Sequence, residues 1–494
     1  MYQKLIFTIV IFTQFLLTQP NNLFSLKEFS IKGNQQLSDL QVSELINIKI
    51  NDKISSSVVE SGIDNLLHWY EENGYPLATI EVNKLEIDSV KNELLLSLII
   101  SEGKLILLND ILVEGNQTTK GNIIKREAEI IPFEIYRQSK IKTIKSRIEK
   151  MQLFSSVEEP SIQLSDSTAI LKIKVQEGNY NSFDGIAGYV PSADGKGTIT
   201  GLMHISFKNI AGTGRKLYID WEKENQLSHN YLIKYSEPWV LSFPIDLNLS
   251  IRQRKHENLF VLFSYDINGA YKLIENIIAT GTYFRSEVTP QEGILNLSNS
   301  NESLIGGSIS FDSRNNVRNY RKGIFFSTKL LSGNKKNKIN DSSETIKITK
   351  SNIHLENIFS LTEESGLYNY LSFNSVIASK LEISDRIPLG GTTTLRGYRE
   401  YEFYGTTTTF LQTEFRYYTG MTSQLYSFFD CGTFWNKNLP NSQLQYGNEK
   451  KLLYGYGGGV RLQISSWLYS FTIGYAQKDK LTDGKLHIGL LNEF

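Results

Sequence analysis

Ile245-Asp246-Leu247-Asn248-Leu249-Ser250-Ile251-Arg252 alternates apolar and polar residues without a break. In an extended chain successive side chains point to opposite faces, so this stretch is a strand with one oily face and one wet face. The pattern recurs on both sides. Leu217, Ile219 and Trp221 alternate with Asp220, Glu222 and Glu224, and Leu259, Val261, Phe263, Tyr265 and Ile267 alternate with residues that include Ser264, Asp266 and Asn268. A soluble sandwich or propeller would also alternate. Three features favour a membrane barrel. The pattern fills residues 180–494, polar stretches such as Gln291–Glu302 and Gly333–Glu344 read as long connections, and the charged faces need water inside the sheet. In lipid only a closed barrel satisfies every edge N–H and C=O, and it puts the apolar faces outside and the polar faces in the bore. At about 20 residues per strand and connection, with about 9–11 crossing, the stretch predicts roughly 16 antiparallel strands.

Composition narrows the rest. The 494 residues carry 52 Lys+Arg against 52 Asp+Glu, a balance that argues against nucleic-acid binding, which needs a basic excess. Tyr and Phe number 26 each and Gly 36, the composition that β-rich barrels show. The single cysteine excludes a disulfide framework and a cysteine zinc site. Beyond the N-terminus no apolar run is long enough for a membrane-spanning helix. At the N-terminus Lys4 precedes an apolar stretch from Leu5 to Leu17, the length of a signal-peptide core, so residues 1–22 are expected to be an export signal rather than a short buried helix.

Between them lies a repeat. Phe29-Ser30-Ile31-Lys32-Gly33-Asn34 and Ile111-Leu112-Val113-Glu114-Gly115-Asn116 are both strands ending in a Gly-Asn turn. A short and then a longer helix follow each. Val59, Ile63, Leu66, Leu67 and Tyr70 share one helical face in the first copy, and Ile141, Ile144 and Ile148 in the second. Each copy closes with a strand running into Glu-Gly, at Glu102-Gly103 and Glu177-Gly178. These units, 26–103 and 104–178, resemble POTRA domains, the small α+β periplasmic modules of outer-membrane assembly proteins. In such a module an edge strand carries unpaired backbone groups and can accept a partner strand. Those edges are expected near Thr79–Ile87 and Val157–Leu164, unless they only stack the modules on each other. Lys140, Lys142, Lys145, Arg147 and Lys150 give the second long helix a basic face, either solvated or turned to lipid headgroups or an acidic partner.

Late in the barrel stretch stands Gly390-Gly391-Thr392-Thr393-Thr394-Leu395-Arg396-Gly397-Tyr398, and some thirty residues on Phe428-Phe429-Asp430-Cys431-Gly432. Leu395-Arg396-Gly397-Tyr398 resembles the loop motif of the BamA/TamA outer-membrane assembly superfamily, and Phe428, Asp430 and Gly432 its F-x-D-x-G strand motif. The final strand, with Gly489 and a terminal Phe494, resembles that family's C-terminal assembly signal, with Asn492 departing from it. Asp312-Ser313-Arg314-Asn315-Asn316 and Gly457-Gly458-Gly459-Val460-Arg461 are further echoes. The resemblance implies that Arg396, at the tip of a long loop folded into the bore, pairs with Asp430 on the inner wall. Gly397 would permit the bend, Tyr398 would pack the tip and Gly432 would leave room for it. The alternative makes Arg396 a solvated loop charge.

No histidine pair has metal-ligand spacing, and no nucleophile or phosphate-binding motif is present, so neither an enzyme, a cofactor nor a metal site is expected. Cys431, beside Asp430, is expected to face lipid or a neighbouring strand and to be inert. The resemblance implies an outer-membrane barrel, its POTRA-like domains in the periplasm, that assists insertion, assembly or translocation of other proteins. Its partners would be unfolded outer-membrane or secreted clients, outer-membrane lipid, and periplasmic chaperones or accessory lipoproteins. Clients would enter at a seam between the first barrel strand, near Asn181–Pro191, and the last, near Lys485–Phe494. The rivals are a two-partner secretion translocator, which usually has a plug helix before its first POTRA domain where this sequence leaves no room, and a passive porin or surface-antigen barrel.

Overall fold

The computed structural model describes residues 23–493 apart from 89, 166–167, 179, 191–197, 224–226, 295–296, 315–320, 340–341, 421, 440–450 and 465–466. The expected signal peptide, Pro191, Asn315, Asn316 and Phe494 therefore lie outside the described residues. The chain divides into two compact units at Gly178 and Asn179.

The first unit holds two copies of one motif. The first copy runs β1 (Phe24–Lys32), α1 (Asp39–Ile46), β2 (Lys53–Ile54), α2 (Ser56–Glu72), β3 (Thr79–Asp88) and β4 (Glu93–Ser101). The second runs β5 (Leu107–Glu114), α3 (Gly121–Ala128), β6 (Glu134–Ile135), α4 (Gln138–Lys150), β7 (Phe154–Val157), β8 (Ser161–Ser165) and β9 (Thr168–Glu177). Relative to the expected order, each copy adds a two-residue strand between its helices. The sheets are ordered β2-β1-β4-β3 and β6-β5-β9-β7, with β8 also on β9. The edges therefore include the two segments expected from the sequence. Val59, Leu66 and Tyr70 are buried in the first core, and Ile141, Ile144 and Ile148 in the second.

The landmarks that revealed the repeat share one physical cause. Gly33 and Gly115 take φ of +90° and +84°, and a Cβ there would stand 2.1 Å from the Ile100 carbonyl oxygen and 2.0 Å from that of Val175. Only glycine lets the turn approach the neighbouring strand so closely. The next residue closes the turn, with Asn34 Nδ2 donating to the Leu37 carbonyl at 2.9 Å and Asn116 Nδ2 to that of Thr119 at 2.8 Å. The closing glutamate caps it. Glu102 accepts from the N–H groups of Gln35 and Gln36, and Glu177 from those of Thr118 and Thr119. Burial raises the Glu177 carboxyl, and the Thr119 and Thr118 amide hydrogen bonds outweigh it and hold the group below its usual range. The basic face of α4 is largely neutralised within its own module. Lys140 pairs with Glu134, Lys145 with Glu159 and Arg147 with Glu129.

The second unit is a barrel of sixteen antiparallel strands. In chain order they begin β10 (Ser182–Val190), β11 (Thr198–Ile210), β12 (Arg215–Lys223), β13 (His229–Glu237), β14 (Ile245–His256) and β15 (Phe260–Ile274). Next come β16 (Ile277–Pro290), β17 (Asn299–Asp312), β18 (Gly323–Ile339), β19 (Ser342–Ser360) and β20 (Ser365–Ala378). A long connection carries the small hairpin β21 (Ile387–Leu389) and β22 (Phe403–Gly405), which pair with each other as a separate two-stranded sheet. The wall resumes with β23 (Thr407–Tyr418), β24 (Gln424–Trp435), β25 (Lys451–Ile464), β26 (Trp467–Ala476) and β27 (Lys485–Glu493). Alternation sorts the faces as expected. Ile245, Leu247 and Ile251 are exposed on the outside, as lipid contact demands. Neighbouring strands share between eight residue pairs, as β26 and β27 do, and seventeen, as β18 and β19 do. The closure is far shorter: among the described residues β10 and β27 pair only through Ser182, Phe183 and Asp184 with Glu493, Asn492 and Leu491.

One expectation is corrected. Gly333–Glu344 is not a long connection, because β18 runs to Ile339 and β19 starts at Ser342, paired with it. Likewise β17 already begins at Asn299, inside the stretch Gln291–Glu302. The inner faces of these strands are polar because they pair charges: Glu302 with Lys350 and Lys335 with Asp385, Glu302 and Lys335 being at most 5% exposed.

Candidate functional site

The connection between β20 and β23 folds inward. Its Leu389, Leu395, Tyr398 and Phe403 are buried with Phe410, Phe434, Leu453 and Ala476 of the surrounding strands. Gly390 and Gly391 lead into its tip at φ of +114° and +101°, and Thr394 Oγ1 accepts from the Gly390 N–H at 2.8 Å. The tip is Arg396, 5% exposed.

The structure brings Arg396 and Asp430 together. Nε donates to Oδ2 at 2.8 Å, Nη2 to Oδ1 at 2.7 Å, and the Arg396 backbone N–H to Oδ2 at 3.0 Å. This is the fork-to-fork geometry that fixes orientation as well as charge. The remaining guanidinium nitrogen, Nη1, reaches Glu414 Oε1 at 2.5 Å. The guanidinium carbon lies 3.8 Å from the Phe428 ring centroid, a cation held over an aromatic face. Glu414 is shared: Arg416 donates to its Oε2 at 2.7 Å, and Arg461 approaches at 3.4 Å. Three guanidinium groups thus meet two carboxylates, and Asp430 is 0% exposed.

The other motif residues have distinct places. Gly397 takes φ +92°, and a Cβ on it would stand 2.4 Å from the Tyr475 carbonyl oxygen. The facing wall is bare as well, since a Cβ at Gly455 would stand 1.8 Å from the Arg396 carbonyl oxygen. Tyr398 donates its hydroxyl to the Tyr454 carbonyl at 3.2 Å and packs edge-on against Phe403. A Cβ at Gly432 would crowd Phe410 Cβ at 3.1 Å and lie 3.6 Å from Leu395 Cδ1, so this glycine first makes room for the neighbouring strand and then for the loop. Cys431 is half-buried, with its strand neighbours Leu411 and Tyr454. Gly489 sits opposite Ser470, where a Cβ would find ordinary contact at 3.4 Å.

Sequence reasoning missed Glu414 and Arg416. Each is one inward residue of an alternating strand, and nothing local separates them from other polar bore residues. Arg461 ends the Gly457–Arg461 echo but had no role assigned. Asp312 and Arg314 of the other echo pair at 2.8 Å, and Arg314 also reaches Glu356.

A second buried cluster was also missed. Lys335 Nζ lies 2.6 Å and 2.8 Å from the two Asp385 oxygens and 3.5 Å from Glu382 Oε2. Glu382 in turn accepts from Ser298 Oγ at 2.6 Å. This clamp pins the start of the same inward connection to β18. Lys335→Met is expected to lower the unfolding free energy by about 3–5 kcal/mol, because two buried carboxylates lose their cation. The measurement is the urea midpoint of the folded barrel band on a gel, and an unchanged midpoint would reject the clamp.

Known proteins share these features. The model of the Omp85 superfamily domain matches residues 209–494, and the POTRA model, a surface antigen variable number repeat, matches 24–103 and 106–178. The outer membrane protein assembly factor BamA of Nitratidesulfovibrio vulgaris is 27% identical over 143 residues, 28% of this chain and 18% of the relative. BamA of Buchnera aphidicola is 24% identical over 256 residues, 51% of this chain and 39% of the relative. The chain therefore spans less than half the length of the curated relatives it matches. Among solved structures, CdiB from Escherichia coli superposes with a TM-score of 0.59 at 13% identity, covering 96% of this chain and 91% of that one. BamA from Haemophilus ducreyi lacking POTRA domains 1–3 gives 0.55 at 14% identity, covering 95% and 100%. At these identities the likeness is one of fold. With the family model matched over more than half its length, the chain belongs to the Omp85 superfamily, as a sixteen-stranded outer-membrane barrel preceded by two periplasmic POTRA domains.

Proposed function

We propose that this protein assists the insertion and assembly of other proteins in the outer membrane, taking client strands at the seam between β10 and β27. The observation that carries the reading is the three-pair closure. Among the described residues Gly185–Val190 of β10 pair with β11 but not with β27, which leaves a strand edge able to template a client hairpin by main-chain hydrogen bonding. The POTRA edges β3 and β7–β8 would hold extended client segments, handed on by periplasmic chaperones or accessory lipoproteins. The curated relatives carry the name assembly factor, which agrees with this reading. In this mechanism the Arg396 cluster is a latch. It holds the long connection in the bore, keeps the barrel sealed and stiffens β23–β26, so that opening concentrates at the seam.

The second reading is a two-partner translocator for one secreted substrate, which the pair of POTRA domains also fits. A path through the bore would have to displace the connection and expose Arg396, Asp430 and Glu414, all buried in ion pairs. A path at the seam breaks three residue pairs. That difference favours insertion over translocation, and it disfavours a passive pore. Depletion in cells separates the three. Loss of many barrel proteins is the expected result, loss of one secreted protein would mean translocation, and loss of neither would reject both active roles.

A further inference from the structure

The outer wall of β15–β19 carries a lipid-facing groove below a row of unpaired cations. Gly269, Gly281 and Gly307 pair directly with one another across β15, β16 and β17, and Gly307 pairs with Leu330 of β18. With Tyr271 and Ile309 they line an outward groove of about 550 Å³. A Cβ at Gly281 would meet nothing within 4 Å, so packing within the barrel does not demand glycine there.

Two residues along the strands stands an aromatic and aliphatic row, Ile267, Tyr283 and Ile305. Two residues further comes a row that reads Tyr265, Arg285, Ser303, Asn334 and Lys347 from β15 to β19. All share the outward parity of Ile305 and Leu330, which are 70% and 56% exposed. The next row adds Lys336 beside Asn301 and Glu287, the one carboxylate in these two rows. Arg285, Lys336 and Lys347 are exposed and have no ion-pair partner among the described residues.

Their height in the membrane follows from the topology. The POTRA domains are periplasmic and the chain enters the barrel from them at β10, so β16 starts on the periplasmic side at Ile277. A membrane strand needs about 9–11 residues to cross. Arg285 is the ninth residue of β16, and Tyr265 and Ser303 are the tenth residues from the periplasmic ends of β15 and β17. The cationic row therefore stands at the outer headgroup level, with tyrosines of the interfacial belt around it. The groove lies four residues lower, about 13 Å at about 3.3 Å per residue, within the acyl region.

We propose that this wall binds a phosphorylated glycolipid of the outer leaflet, one acyl chain in the groove and its headgroup along the row from Arg285 to Lys347. Charge complementarity selects phosphate. The spacing selects a large headgroup: Arg285 and Lys347 are three strand steps apart, about 14 Å, too far for one phosphate. The residues between them, Ser303 and Asn334, offer a hydroxyl and an amide that suit sugar hydroxyls. This site depends on the outer-membrane location and not on whether clients are inserted or translocated.

The test uses the purified full chain in uncharged detergent, offered a diphosphorylated glycolipid, the same lipid dephosphorylated, and phosphatidylglycerol. Lipid retained after washing is counted by native mass spectrometry. Wild type is expected to retain the diphosphorylated glycolipid at least about ten-fold over the other two, as several charge-assisted contacts imply. Arg285→Gln with Lys347→Gln should bring it down to the dephosphorylated level. Gly281→Leu should also lower retention, with every charge intact. Heat-dependent gel migration checks that each variant is folded. Equal retention of all three lipids, or retention unmoved by both variants, would overturn the site. Phosphatidylglycerol held as well as the glycolipid would overturn the glycolipid assignment.

Discussion

Joining β10 to β27 by a disulfide between Asp184→Cys and Leu491→Cys, in a Cys431→Ser background, is expected to abolish client insertion while the barrel stays folded. These positions are cross-strand partners and mark the last pair before the edge runs free. Paired strand residues stand about 4.5–5.5 Å apart at Cα, within the span a disulfide needs. The argument is one of relative cost. Each intramolecular hydrogen bond contributes about 0.5–1.5 kcal/mol net, so a closure of three residue pairs opens for a few kcal/mol, whereas the β18–β19 interface would cost several times more. The seam is thus the one interface of the wall, among the described residues, where opening needs no large input of energy. A disulfide there removes the open state, although the substitution also takes the Asp184 carboxylate from beside its cross-strand partner His204. Reduction should restore activity in the same preparation, which separates the lock from damage by the substitutions. A protein that inserts clients equally well oxidised and reduced would sink the seam.

How much of this was legible depends on what each residue's role rests on. The barrel was legible from Ile245–Arg252 because alternation is a local consequence of strand geometry. The repeat was legible because Gly33 and Gly115, Asn34 and Asn116, Glu102 and Glu177 are each held by contacts that recur 75–82 residues later. Arg396 and Asp430, though far apart in sequence, could be paired only through a resemblance, since nothing in either segment dictates the other. Glu414 is the more instructive miss. It contacts all three arginines of the cluster, yet on its strand it reads Thr413-Glu414-Phe415, indistinguishable from any bore-facing carboxylate. Lys335 was misread for a different reason. Ser332-Gly333-Asn334-Lys335-Lys336-Asn337 has the composition of a loop, and strand propensity yields to context when seventeen residue pairs hold the hairpin.

Arg396→Ala is expected to free the long connection and to cost about 3–5 kcal/mol of barrel stability, because it leaves a carboxylate buried without its cation. The loss is not shared equally between the two acids. Glu414 keeps Arg416 at 2.7 Å and Arg461 at 3.4 Å, so it stays compensated. Asp430 is fully buried and every hydrogen bond it is seen to accept comes from Arg396, two from the guanidinium and one from the backbone. The strain therefore falls on β24 and on the loop tip. Arg396→Lys tests geometry apart from charge. A lysine keeps the cation, but one ammonium cannot serve both Asp430 oxygens, reach Glu414 and lie flat over Phe428 as a planar guanidinium does. It should recover part of the stability and leave the connection loosely held. Arg396→Gln with Asp430→Asn should recover stability for the opposite reason, since no charge is left stranded, yet it should not restore activity if the latch is what keeps the wall stiff. Three readings decide the matter: the urea midpoint, protease cleavage between Gly390 and Arg399, and client insertion. If Arg396→Ala leaves all three at the wild-type level, the guanidinium is only a tolerated passenger in the bore, and the latch is rejected.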